Sequence, residues 1–169
     1  MTFSKTSGAD PLFLDTSALV RLYYLEPQDP FAWVVDLARR PEVQPAASHL
    51  AYVETLVAFH ALRRRKAITA RRQALLSAAF KRDWPSFLRV PLDYPVVFLA
   101  GVLAEDHPLR GADALQPTSF LLLWMRERRG RFLTLDPRPY RVARDLVPVG
   151  PVPALEVLSP SGQQHKEEP

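Results

Sequence analysis

Four isolated carboxylates, Asp15, Glu54, Asp113 and Asp136, stand at positions where acids can do chemistry. Asp15 closes a short apolar run, Leu12-Phe13-Leu14, and Asp136 closes another, residues 131–135. If both runs are strands of an open α/β sheet, both acids face the crevice outside the strands' carboxyl ends. Asp113 follows Arg110-Gly111 and falls in the first turn of a helix, near the same kind of edge. Glu54 lies within a long helical pattern. Its neighbours three and four residues away, Leu50, Ala51, Val57 and Ala58, are all apolar, so it is expected on or beside a buried stripe without a basic partner. An ionised carboxylate there needs a cation or hydrogen bonds.

Acids gathered at one rim repel, and either protonation or a divalent metal relieves them. Oxygen-only ligands favour Mg²⁺ or Mn²⁺ over zinc. Such an ion generates hydroxide from water and neutralises charge on a scissile phosphate, which is phosphodiester hydrolysis. Taken singly, each acid also has an ordinary explanation. Asp15 suits a helix N-cap, Asp113 the positive end of a helix dipole, Asp136 a turn before Pro137, and Glu54 an ion pair with a distant arginine.

The elements that must carry these residues alternate between strand and helix. Strands are expected over residues 12–14, 43–48, 89–92, 131–135 and 152–158, the second a weak candidate because it contains Pro45. Helices are expected over 18–25, 31–40, from 49 to about 66, from 69 through 80 and beyond, 94–105, 112–129 and 139–146, with Gly130 closing the one that carries Asp113. Strands separated by helices predict a parallel sheet covered on both faces. Neither a composition shift nor a repeat divides the chain. One domain over residues 11–158 is expected, with flexible termini at 1–10 and 159–169.

Composition narrows the function class. The 169 residues are 47% hydrophobic, enough for a core, and contain no cysteine, which excludes disulfides, thiolate metal sites and cysteine nucleophiles. No apolar run suits a signal peptide or a bilayer span, so a cytoplasmic protein without a membrane partner is expected. A formal charge of +4 is compatible with a polyanionic partner without identifying one. The basic clusters Arg63–Lys66 with Arg71-Arg72, and Arg126 to Arg131, suit phosphates but are slightly better explained as solvated helix ends. Tyr23, Tyr24, Trp33 and Trp84 are more readily core or interface residues than base-stacking platforms.

In their order along the chain, four segments resemble the motifs of the PIN-domain family, in particular its VapC-type toxin ribonucleases. LFLDTSALVRLYYLEP resembles the first, with Asp15 ending a strand; ASHLAYVETLVAFHALRR the second, with Glu54; LAEDHPLRGADALQPTSFLLL the third, with Asp113; and RFLTLDPRPYRVARDL the fourth, with Asp136. The resemblance spans roughly residues 11 to 146. It implies a PIN-like three-layer α/β sandwich around a central parallel sheet. It further implies an acidic pocket of Asp15, Glu54, Asp113 and Asp136 holding Mg²⁺ or Mn²⁺, with Thr134 and Thr16 as second-rank residues. The activity implied is endoribonuclease cleavage of RNA, as in toxins of toxin–antitoxin pairs, whose partners are a small antitoxin protein and a second copy of the toxin. Two positions depart from the pattern: Gln116 stands where family members often carry His, and Pro117, expected to kink its helix, follows it. A non-catalytic relative that binds RNA or acts as a scaffold is the second reading. A phosphatase with Asp15 as nucleophile is third, because Ser17 stands where that chemistry wants another Asp.

Overall fold

A computed structural model describes residues 8–107, 109–146 and 156–158. Five strands form one parallel sheet in the order β3-β2-β1-β4-β5. They are β1 (Asp10–Leu14), β2 (Val43–Ser48), β3 (Leu88–Val90), β4 (Arg131–Leu133) and β5 (Glu156–Leu158). The helices are α1 (Thr16–Arg21), α2 (Trp33–Ala38), α3 (His49–Arg64), α4 (Ala70–Asp83), α5 (Tyr94–Asp106), α6 (Gly111–Glu127) and α7 (Pro137–Asp145).

Side-chain alternation along β1 sorts the helices into two layers. Leu12 and Leu14 point into one core with Leu19 of α1, Val34 of α2, Phe59 of α3 and Phe80 of α4. Phe13 points the other way, against Val96 of α5, Phe120 and Leu123 of α6, and Phe132 of β4. The architecture is a three-layer α/β sandwich, as the sequence implied. The aromatics Tyr23, Tyr24, Trp33 and Trp84 pack against the first core rather than offering open stacking faces.

Several boundaries differ from expectation, each for a local reason. β1 begins at Asp10, one residue before the expected domain start. α1 is Thr16–Arg21 rather than 18–25: Asp15 caps it through the Ala18 N–H, and turn hydrogen bonds carry the chain off at Leu22 and Tyr23. α2 is shorter at both ends than 31–40, and β4 stops at Leu133 rather than 135, freeing Thr134–Asp136 as a connection. β3 falls at Leu88–Val90 instead of 89–92. α7 begins at Pro137, two residues earlier than expected, because Asp136 caps it. β5 is Glu156–Leu158; residues 152–155 of that expected strand, and the termini 1–7 and 159–169, lie outside the described residues.

Pro45 is accommodated because β2 pairs with β1 over Val43–Ala46 but with β3 only from Ala46 onward. At Pro45 one side of the strand has no ladder to interrupt. Pro117 does not end α6, which runs through it, although the Asp113 carbonyl loses its helical N–H donor. Arg128, in the left-handed region at φ 55°, ends that helix, two residues before the expected Gly130. Gly130 serves a different purpose. At φ 130° a Cβ there would sit 3.1 Å from the Pro11 carbonyl oxygen, so glycine allows β4 to start beside β1.

Candidate active site

The strand order reverses direction between β1 and β4: from β1 the chain builds outward through β2 and β3, then returns to the other side for β4 and β5. Ligand crevices of open α/β sheets form at such a switch point, outside the strands' carboxyl ends. Asp15 follows β1 and Thr134–Asp136 follow β4, so both edges of the crevice carry acids. The N-terminal halves of α3 and α6 bring Glu54 and Asp113 to the same place. All four acids line one cleft of about 630 Å³, together with Thr16, Ser17, Gln116 and Arg138.

Asp15 is the most buried of them, 4% exposed. Its Oδ1 accepts hydrogen bonds from Ser17 Oγ at 2.6 Å and the Ala18 N–H at 3.0 Å, and its Oδ2 from Thr134 Oγ1 at 2.6 Å. Burial outweighs these three bonds and pushes its carboxyl up to about 6, with a small contribution from Asp136 in the same direction. The Ser17 hydroxyl in turn accepts from the Leu135 N–H at 2.8 Å, tying the start of α1 to the connection after β4. Asp15 is thus both helix cap and cleft acid; its two readings are not exclusive.

Glu54 is half-buried beside the buried stripe of α3, as expected, although not all of its apolar neighbours belong to that stripe. The buried side of α3 is Ala51, Thr55, Phe59 and Leu62, whereas Val53 and Val57 are more than half exposed and form an apolar lip of the cleft. The carboxylate is held by polar groups: Thr16 Oγ1 and Gln116 Nε2, the latter at 3.1 Å, both donate to its Oε2. Gln116 is 4% exposed and accepts from Ser48 Oγ at 2.9 Å through its own Oε1. The residue that departs from the family pattern is therefore the one that fixes Glu54 and links α3, α6 and β2. In Gln116→Leu, Glu54 and the buried Ser48 hydroxyl each lose a partner. The expected cost is about 1–3 kcal/mol, read as a lower midpoint in urea denaturation; an unchanged midpoint would deny the amide this role.

Asp113 and Asp136 share one counter-ion. Arg138 Nη1 lies 3.2 Å from Asp113 Oδ2, near enough for an ion pair although not aligned as a hydrogen bond, so that oxygen is buried without a hydrogen-bond donor. Arg138 also meets Asp136 through Nη2 to Oδ2 at 2.8 Å and Nε to Oδ1 at 3.2 Å. These hydrogen bonds hold the Asp136 carboxyl below the usual carboxylate range, against a weaker upward push from burial. As the N-cap of α7, accepting from the Arg138 N–H at 2.9 Å, Asp136 also fulfils its turn reading. Among the described residues no three of these acids are drawn close enough to hold an ion as they stand. The donor chemistry nevertheless fits a hard divalent cation: all-oxygen ligands, one desolvated carboxylate and one buried oxygen lacking a donor.

Thr134 and Thr16, second-rank by sequence, orient Asp15 and Glu54. In sequence Gln116 is only a departure from the pattern, and the site roles of Ser17, Ser48 and Arg138 are not legible there, because a hydroxyl or guanidinium reveals its partner only when distant segments meet. Of the basic clusters, Arg63 and Arg64 lie in the last turn of α3 and Arg126 in the last turn of α6, while Arg71 and Arg72 open α4.

Solved structures share this architecture. A chain of FitAcB from Neisseria gonorrhoeae superimposes with a TM-score of 0.59 over 90% of this chain and 99% of its own, at 15% identity. The chain has a PIN-like fold. A chain of VapBC2 from Rickettsia felis, bound to a DNA fragment from their promoter, shares it with a TM-score of 0.55 over 88% and 98%, at 14% identity. So does a chain of a toxin–antitoxin complex from Klebsiella pneumoniae, with a TM-score of 0.51 over 76% and 89%, at 15% identity. No family model matches the chain, and no curated protein sequence matches it. In the PIN-like fold described here, no helix among the described residues is long and apolar enough to cross a membrane.

Proposed function

We propose that this chain is a divalent-metal-dependent endoribonuclease that hydrolyses phosphodiester bonds and serves as the toxin of a toxin–antitoxin pair. The carrying observation is that acids from four separate segments line one cleft at the switch point of a PIN-like sheet. Asp15, Glu54, Asp113 and Asp136 are the residues that would hold Mg²⁺ or Mn²⁺, and the ion would supply activated water and charge neutralisation at the phosphate. Thr134 and Ser17 keep the Asp15 carboxylate oriented, and Gln116 and Thr16 do the same for Glu54. The toxin assignment is supported by the fold's occurrence in FitAcB, VapBC2 and the Klebsiella complex. A small antitoxin and a second copy of the chain are the partners that follow from it, and the cytoplasm is the compartment where RNA is met.

The test is cleavage of labelled single-stranded RNA with Mg²⁺ or Mn²⁺. Activity is expected to vanish in EDTA, return on adding Mn²⁺, and be lost in Asp113→Asn. Cleavage that persists in EDTA or in that variant would sink the assignment. The guanidinium of Arg138 between Asp113 and Asp136 is the observation that favours a second reading: a non-catalytic RNA-binding protein of the same fold. It predicts RNA binding without cleavage and no heat on titration with Mn²⁺.

A further inference from the structure

Arg138 is tied to two of the four acids at once. Its guanidinium spans Asp113 Oδ2 at 3.2 Å and Asp136 Oδ2 at 2.8 Å, while its backbone N–H donates to Asp136 Oδ1. Its side chain is 45% exposed, against 14% for Asp113 and 29% for Asp136. The acids are thus the more buried parts of this arrangement, and the cation between them is the more exposed. A guanidinium and a hard divalent ion compete for the same carboxylate lone pairs. Ion pairs this exposed are weak, so an ion that binds two carboxylates directly displaces the guanidinium at little cost.

We propose that Arg138 is an internal counter-ion that fills the cation position between Asp113 and Asp136 and must swing out before a divalent ion binds. The inference rests on the metal-dependent reading above and adds what sets the ion's affinity. In the ion-free protein the guanidinium neutralises the two acids and holds the β4–α7 connection against α6. Once displaced, it stays anchored in the first turn of α7, at the rim of the cleft. The site therefore demands more Mg²⁺ or Mn²⁺ than its four acids alone would require.

The test is calorimetric titration of the full chain with Mn²⁺, without RNA, for wild type, Arg138→Ala and Arg138→Gln. Both variants are expected to bind Mn²⁺ more tightly, by about two- to fivefold, the range set by releasing a weak exposed ion pair. Arg138→Lys, which keeps the charge but not the two-pronged geometry, is expected to fall between. The Mg²⁺ concentration giving half-maximal cleavage should drop in parallel. Equal or weaker Mn²⁺ binding by both neutral variants, with thermal melts that show them folded, overturns the gate and leaves the nuclease reading intact. If wild type and variants alike bind no Mn²⁺, the metal-dependent reading falls and the gate falls with it.

Discussion

Asp15→Asn is expected to abolish cleavage and yet make the ion-free protein more stable at pH 8. The Asp15 carboxyl titrates near 3.8 in the unfolded chain and is pushed up to about 6 in the fold, chiefly by burial. Between those two values the folded protein holds a proton that the unfolded chain has released. Stability therefore falls as pH rises through that window, and above about 6 the whole cost is present, on the order of 3 kcal/mol. Below about 3.8 both states are protonated and the difference disappears. Asparagine removes the buried charge but presents an amide where one oxygen accepted from Thr134, returning about 1 kcal/mol of that gain. A net gain of about 2 kcal/mol corresponds to a melting point about 4–8 °C higher for a chain of this size.

Thermal melts in EDTA at pH 5 and pH 8 measure this directly. Wild type should lose stability between the two and Asp15→Asn should not; identical pH slopes would show that Asp15 is not the strained group. Under the proposed metal-dependent reading, added Mn²⁺ should raise the wild-type melting point and leave the variant's unchanged, because the ion would relieve the buried carboxylate. Greater stability with lost activity is the pattern of a functional residue kept at the fold's expense.

The second large effect is structural and acts on the site from below. Phe13, central in β1 and fully buried, stacks with Phe132 at 5.8 Å and meets Phe120 at 5.9 Å, and those two rings are 5.4 Å apart. Phe13→Ala leaves a cavity beneath α6 and is expected to cost about 3–5 kcal/mol, read from urea denaturation. Because α6 carries Asp113 and Gln116, the Mn²⁺ affinity of the surviving folded protein should fall as well. A loss below about 1 kcal/mol would mean that the site collapses onto the gap, or that this cluster is not the centre of its layer.

The elements legible in the sequence are those with strong helical periodicity. α3 and α4 appear where that periodicity and Thr69 put them, with Ser48 and Thr69 each accepting the hydrogen bond of an N-cap; β2, weak in sequence because of Pro45, forms over the expected residues. α1 was overextended because an apolar pattern continues through Leu25, while Tyr23 is claimed by the rings of Phe59 and Phe80. Of the acids, Asp15 and Asp136 were legible from strand ends, since direction of chain fixes the edge. Glu54 lies beside the buried stripe of α3, as its neighbours predict: Ala51 is in the core, while Val57 is exposed at the lip of the cleft. Gln116 and Arg138 were beyond sequence because their roles consist of partners, and the Gln116–Glu54 bond joins residues 62 positions apart.

The Thr134–Asp15 hydrogen bond spans 119 residues of chain. Asp15 leaves the ribosome well before Thr134, Asp136 and Arg138, which emerge only after β1, β2 and β3 have been made. A contact this remote in sequence forms late, after the intervening strands have paired. A growing or truncated chain that lacks β4 and α7 thus has Asp15 without its hydroxyl partner and a cleft open on one side. In a chain proposed to cut RNA, the cleft would then be completed only after β4 and α7 have been made.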